Sequence, residues 1–454
     1  MGWNGQEEAL IMLKRKAYDD LLNWKQRRQL EHNRKCLLVK GARQVGKTFI
    51  IQEFGKNEYE SFLYINFYRQ PDMKAIFDGD LSASEVLKRI TAYVPDFELI
   101  PGKTLIFLDE IQRCGNARTA VKFLAEDFRF DVISSGSLMG LTYGEDDDET
   151  VEVPESVPVG YESTLTMHSL DFEEFLWAVG YDEKAIDVLR SYYLSGDTIP
   201  AALHQKYEGL FREYIVVGGM PEVVASFAEY GDFNRVDRIQ NDILQEYRED
   251  ISKHAKGKEK QQVRMCYDAI PIQLAKELKK FQYSTVEKGQ TRRKYAGSVQ
   301  WLKDSGMVQV CYNSREPYLP LMANANEEQF KLYLNDTGLL CCLYGKETKL
   351  AVLNDTIMGN ARGGIYENVI SECLVKRGYT LYYYKPDSQH EIEFLIEKEG
   401  TVIPVEVKAG NRSTPSLNQF IQDYHPPYAY KLTNTQNGKA DAKITLPHYM
   451  SMFL

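Results

Sequence analysis

Gly41-Ala42-Arg43-Gln44-Val45-Gly46-Lys47-Thr48 follows the pattern G-x4-G-K-[ST] at every position. A short apolar run, Cys36–Val39, precedes it, and a stretch with helical spacing, Phe49–Phe54, comes after it. Strand, glycine turn and helix in that order make a cradle for phosphate. The glycines let backbone N–H groups point inward, and the helix N-terminus adds positive potential. Every residue from Gly41 to Thr48 is therefore a candidate contact for ATP. Lys47 is placed to reach the β- and γ-phosphates, and Thr48 to hold Mg2+.

Bulk properties set outer limits. A chain of 454 residues corresponds to about three domains of ordinary size. With 43% hydrophobic residues, each can bury a core. The net charge of −10 opposes indiscriminate binding of polyanions, so any contact with DNA has to come from a local basic patch. No apolar run of about eighteen residues occurs, and no membrane span is expected. Residues 1–8 have neither a basic start nor an apolar core, and Gln6 stands where myristoylation wants Ser or Thr. Seven cysteines are scattered with no C-x-x-C pair. Free thiols in a reducing cytoplasm are the expectation.

From residue 36 to about 175, apolar strands alternate with helical stretches. The strand candidates are 36–40, 62–67, 105–108, 132–135 and 163–169. Such alternation predicts an α/β fold, a parallel sheet covered by helices. Residues 144–155 are acidic and nearly devoid of apolar side chains, which reads as a solvated insertion loop. From 206 to about 330 the pattern is mostly helical, with a turn at Gly218-Gly-Met-Pro221. After Lys331 it becomes mixed, with a helix near 366–376 and strands at 380–385, 391–396 and 402–408.

Leu105-Ile-Phe-Leu108-Asp109-Glu110 is an apolar strand ending in two acids. Such a strand delivers Asp109 beside an ion held at Thr48, so Thr48 and Asp109 are the candidate metal residues. Glu110 is then the candidate general base for the attacking water. Val132-Ile-Ser-Ser135-Gly-Ser137 supplies small polar groups at another strand end, and Ser135 and Ser137 are candidates for contacting the γ-phosphate or the water.

Together these residues resemble an AAA-type ATPase of the STAND-related archaeal and bacterial group, whose members carry a C-terminal domain of unknown function, DUF4143. Gly41–Thr48, Leu-Asp-Glu-Ile-Gln (108–112), Ser-Gly-Ser (135–137), Leu170-Asp-Phe-Glu-Glu-Phe175, Gly218–Pro221, Asn335-Asp-Thr-Gly-Leu-Leu340 and the Glu-Val-Lys near 406 look like that family's signatures in order. The resemblance implies a sheet ordered 5-1-4-3-2, a helical lid, a winged helix and an α/β C-terminal domain like the restriction endonucleases. The corresponding division is 1–205, 206–330 and 331–454. Relatives commonly have Gly-Arg before the fifth strand; Gly160-Tyr161 stands here. Arg43 and Arg113 are candidate replacements, and slow turnover is the expectation.

In the middle segment, 272–278 reads as one amphipathic helix, and Tyr295, Val299 and Leu302 as the buried stripe of another. Gly306–Val310 then looks like the first strand of a wing. The second helix begins with Arg292-Arg293-Lys294, with Lys288 just before it, and these four are candidate DNA contacts. A protein-docking role gives the same pattern.

Near the C-terminus, the strand period of two puts Glu406 and Lys408 on one face. With Glu393 opposite and Glu367 on the preceding helix, they look like the PD-(D/E)xK nuclease pattern, with Glu393 where most members have Asp. A second divalent ion would sit there. The sequence thus points to Mg2+-dependent ATP hydrolysis switching a DNA- or protein-interacting module. An ATP-gated metal-dependent nuclease and a non-hydrolysing switch are the alternatives, and oligomerisation stays open.

Overall fold

The computed structural model describes residues 13–30, 33–143, 158–255, 257–289, 292–410 and 413–454. The acidic segment at 144–155 lies outside them. Two compact units divide the chain. One holds Arg15–Ser169 with Asp304–Gly306, the other Leu170–Lys303 with Met307–Leu454.

In the first unit, the five apolar runs form β1 (Cys36–Gly41), β2 (Ser61–Asn66), β3 (Thr104–Asp109), β4 (Asp131–Ser137) and β5 (Glu162–Met167). All pairings are parallel, in the order β2-β3-β4-β1-β5. Read from the other edge, this is the expected 5-1-4-3-2. Both faces are covered because the strands are apolar at consecutive positions, not alternate ones. Leu37, Val39, Leu105 and Phe107 face α1 (Lys16–Leu30) and α2 (Lys47–Glu58). Leu38, Ile106 and Leu108 face α3 (Ala83–Tyr93) and α4 (Gly115–Asp127). The register sets Gly41 beside Ser137 and Asn66 beside Asp109, so the strand ends that carry the candidate residues form one edge. In open parallel sheets, that carboxyl edge is where ligands bind.

The second unit opens with helices Phe172–Ala178, Glu183–Ser195, Ala201–Val217, Pro221–Tyr230 and Phe233–His254. The expected turn sits between the third and fourth of these, where Gly218 adopts φ 76°. A mixed sheet of eight strands follows. It contains β6 (Val308–Ser314), β7 (Ala325–Leu334), β8 (Tyr382–Tyr384), β9 (Ile392–Lys398), β10 (Thr401–Val407), β11 (Ala429–Thr433), β12 (Gly438–Ala440) and β13 (Lys443–Pro447). Their order is β12-β13-β11-β10-β9-β8-β6-β7.

Two expectations for the middle segment change. The helix read at 272–278 instead spans Glu259–Leu274, leaving Ile272 and Leu278 59% and 41% exposed. It stops where the Gln273 side chain accepts the Gln282 N–H at 2.5 Å, and where buried Phe281 stacks on Phe330 and donates its N–H to that residue's carbonyl at 2.8 Å. Tertiary pairing with β7 ends the helix, which local periodicity does not report. The strand expected to start a wing is β6. It pairs with β7 antiparallel and with β8 in parallel, so this hairpin is part of the eight-stranded sheet. The expected boundary after residue 330 falls inside β7.

Candidate functional site

The glycine loop has the geometry its sequence demands. A Cβ on Gly41 would stand 2.3 Å from the Met167 carbonyl oxygen, so only glycine lets β1 and β5 close here. Gly46 precedes α2 at φ 88° and makes no side-chain cap, so the first backbone N–H groups of the helix carry no side-chain acceptor from it. Lys47 Nζ donates to the carbonyls of Gly41 (3.1 Å) and Ala42 (2.8 Å), curling over the loop. Burial pushes its ammonium down to about 8; Glu110 and Asp109 oppose that shift and Arg43 adds to it. Lysine, loop and both acids therefore share one electrostatic neighbourhood. Arg15 braces the loop from outside, donating to the carbonyls of Val45 (3.1 Å) and His168 (2.7 Å).

Asp109 is buried at the end of β3 and gathers donors from three other elements and from the residue that follows it. Its Oδ2 accepts from Thr48 Oγ1 (3.0 Å), Tyr64 Oη (3.0 Å) and Asn66 Nδ2 (2.9 Å). Its Oδ1 accepts from Ser135 Oγ and from the Glu110 N–H (3.1 Å). Glu110 itself takes φ 55°, a left-handed conformation that turns the chain sharply off the strand. Gln112 Nε2 donates to its Oε2 at 2.6 Å. Ser137 Oγ accepts the Gly140 N–H at 3.0 Å. The structure therefore brings Lys47, Thr48, Asp109, Glu110 and Ser135 together. Ser137 lies on the same strand, engaged at the start of α5 (Leu138–Tyr143).

Sequence reasoning missed Arg15, Tyr64, Asn66 and Gln112. The signals available were the place of Gln112 inside the signature at 108–112 and of Asn66 near the end of the strand candidate 62–67. Of the candidate arginines, Arg113 stacks over the Tyr68 ring at 4.4 Å, and Arg43 stays beside Lys47.

In the second unit, Arg292, Arg293 and Lys294 are exposed at the start of helix Arg292–Asp304, with Lys288 exposed just before it. Acids are interleaved among them. Arg292 pairs with Glu327 (3.4 Å) and Glu328 (3.6 Å), and Lys294 with Glu287 (2.5 Å). The expected stripe of Tyr295, Val299 and Leu302 is buried, with Trp301 beside it.

The four C-terminal candidates also converge. Lys408 Nζ lies 2.8 Å from both Glu393 Oε1 and Glu406 Oε1. Glu367 is held by Lys279 (3.0 Å) and Lys331 (3.1 Å) and accepts from Tyr333 Oη (3.0 Å). Burial raises the Glu393 carboxyl above its usual range; Lys408 opposes the rise and Glu406 adds to it. Glu367, Glu393 and Lys408 line a cavity of about 420 Å3 with Lys279 and Arg362. The expected second divalent ion is not supported by this arrangement. Lysine nitrogens stand between the carboxylates, and among the described residues no group of three or more His, Cys, Asp or Glu is set to hold a metal. Gln419 lines a different cleft, with Tyr384 and Asp423. Among the described residues, no helix is long and apolar enough to cross a membrane.

A parallel sheet of this order, with the glycine loop after β1 and paired acids after β3, defines a P-loop nucleotide-binding protein. Comparison with known families narrows the class. Residues 33–176 match the family model of an AAA domain, and 362–448 that of the domain of unknown function DUF4143. Residues 208–350 match a further domain of unknown function, DUF8612. The chain therefore carries an AAA domain, with the P-loop in it, and a DUF4143 domain toward its C-terminus. No curated protein matches it. Among solved structures, it is similar to the Walker-type ATPase of Pyrococcus abyssi. The identity is 14%, 73% of this chain and 96% of that one are covered, and the TM-score is 0.43. A point variant of Thermotoga maritima RuvB is similar at 13% identity, covering 65% of this chain and 89% of its own, with a TM-score of 0.29.

Proposed function

We propose that the chain binds Mg2+–ATP in the loop Gly41–Thr48 and hydrolyses it with Glu110 as general base. The observation that carries this is the 3.0 Å contact between Thr48 Oγ1 and Asp109 Oδ2, with Glu110 next in the chain. It joins the loop to the acidic strand end where a hydrated divalent ion would be held. The residues fit that ion and its nucleotide: an oxygen-only donor pair, a lysine over the loop, and a turn that a Cβ at residue 41 would fill. When bound, Mg2+ supplies neutralisation of the phosphate oxygens.

The remaining roles belong to the chain. Backbone N–H groups of 42–48 and the Lys47 ammonium hold the phosphates. Thr48 and Asp109 hold the ion, and Ser135, Tyr64 and Asn66 fix Asp109. Glu110 takes a proton from water as the water oxygen bonds to the γ-phosphorus and the bond to the β–γ bridging oxygen breaks. ADP and phosphate leave. With tyrosine at 161, charge on the leaving phosphate falls to Arg43 or Arg113, and turnover is slow. Glu110→Gln should lower turnover by about 10²–10⁴-fold and keep nucleotide affinity; wild-type turnover in that variant would falsify the assignment.

The second unit is the responding module, with the helices before β6 as lid and the part built on the eight-stranded sheet as the nuclease-like part. Lysine-compensated carboxylates favour binding over cleavage in it. The exposed Lys288, Arg292, Arg293 and Lys294 support contact with DNA, or with a protein that has acidic patches. DNA affinity measured with ATP and with ADP tests the switch, and equal affinities count against it. Plasmid nicked in Mg2+ or Mn2+ by wild type and left intact by Lys408→Ala would restore the nuclease reading.

A further inference from the structure

Gln112 lies two residues beyond the proposed base, on the short 3-10 turn Ile111–Arg113, and is 9% exposed. Its amide nitrogen donates to Glu110 Oε2 at 2.6 Å. The space it occupies is kept open by two glycines from other elements. A Cβ on Gly136, in β4, would come within 2.6 Å of Gln112 Oε1, and one on Gly140, in α5, within 2.7 Å of Gln112 Cγ and Nε2. Neither glycine has a positive φ, so neither is needed for backbone conformation. Their absent side chains serve clearance, for the Gln112 side chain at both positions and for Leu141 at Gly136 as well. Gly136 is the centre of the Ser-Gly-Ser signature, which acquires a physical reason here.

We infer that Gln112 is a positioning residue for hydrolysis. It tethers one oxygen of Glu110 and so directs the other, Oε1, toward the attacking water. The inference rests on the reading of Glu110 as base. Glu110 leaves the strand in a left-handed conformation, so its carboxylate direction is not set by β3 and needs a local restraint. A charged-acceptor hydrogen bond supplies one. A donor of this kind acts on the chemical step and not on nucleotide binding, because the phosphates are held by the loop on β1.

The experiment compares wild type with Gln112→Met, Gly140→Ala, the double variant and Glu110→Gln. The measurements are kcat, KM, affinity for a non-hydrolysable ATP analogue, and melting temperature. Gln112→Met keeps the volume and loses the donor; its kcat should fall about 10- to 100-fold, the effect of a misplaced reacting group. KM and analogue affinity should stay within about twofold of wild type, a split that a merely structural loss does not give. Gly140→Ala keeps the amide but fills its space, and should lower kcat in the same way. The double variant should be no slower than Gln112→Met, because both changes act through one contact. Wild-type kcat in either folded single variant, parallel loss of affinity, or additive effects overturn the inference. If Gln112→Met does not fold, Gly140→Ala decides alone. A dead Glu110→Gln beside an active Gln112→Met overturns this inference only; an active Glu110→Gln overturns the hydrolysis reading with it.

Discussion

Thr48 Oγ1 donates to Asp109 Oδ2 across 3.0 Å, linking the first turn of α2 to the end of β3. Residues 61 positions apart in the chain meet because β1 and β3 flank β4 in one parallel sheet and end at one edge. Thr48→Ala removes the hydroxyl and leaves the carboxylate with its other donors. The amount of Mg2+ needed for half-maximal turnover should rise sharply, with little change in melting temperature. An unchanged Mg2+ requirement would remove Thr48 from the ion site.

Asn66, at the end of β2, donates to the same carboxylate oxygen at 2.9 Å. Asn66→Ala should weaken Mg2+-dependent turnover by about 10- to 100-fold, the usual effect of losing a group that orients a metal-holding residue. Steady-state assays across a Mg2+ series would show it, and a purely thermal effect with unaltered Mg2+ response would refute it.

Gly41→Ala places a methyl group 2.3 Å from the Met167 carbonyl oxygen. That oxygen belongs to a backbone paired with β1, so it cannot swing aside. The strands must part, at about 1–3 kcal/mol of stability by the general cost of overpacking. Denaturant unfolding should show the loss, together with weakened binding of a fluorescent ATP analogue. A variant as stable and as tightly binding as wild type would contradict the geometry.

Lys408 lies between Glu393 and Glu406, both buried. Lys408→Met leaves two buried carboxylates without their shared cation, a change that generally costs about 3–5 kcal/mol. Chemical denaturation of the full chain measures it. The triple change Lys408→Met, Glu393→Gln, Glu406→Gln should recover much of the loss, and failure to recover would point to packing as the cause.

Glu208, buried in helix Ala201–Val217, has neither carboxylate oxygen hydrogen-bonded among the described residues. Burial pushes its carboxyl up to about 7; Arg212 and Arg362 oppose this and Asp355 adds to it. A raised folded-state value means that protonation favours the fold. Its stability contribution is complete below about pH 4.5 and is lost as pH rises through about 7, amounting to about 3 kcal/mol. Glu208→Gln should therefore match wild type near pH 4.5 and melt at a higher temperature above pH 7. A gap independent of pH would show that Glu208 does not titrate in that window.

The loop at 41–48, the strand ending in Asp109-Glu110 and the five sheet strands were legible from residue order alone. The chemistry of each needs only neighbours within a few positions, and strand apolarity is a local pattern. The same is true of Glu406 and Lys408, which a period of two sets on one face. What surrounds them was legible only in part. Thr48 beside Asp109 was read from the two motifs, but Tyr64 and Asn66 reach Asp109 only through the register of separate strands, and no spacing in the chain encodes that register. Arg15 reads as one more basic residue until β5 brings His168 beside the loop. The helix at 259–274 ends where Phe281 joins β7, and the supposed wing belongs to a sheet completed only by strands near the C-terminus. Residue order determines bonds made along one strand or one turn; convergence of side chains from different elements is decided by packing, because only the folded sheet brings their ends to one edge.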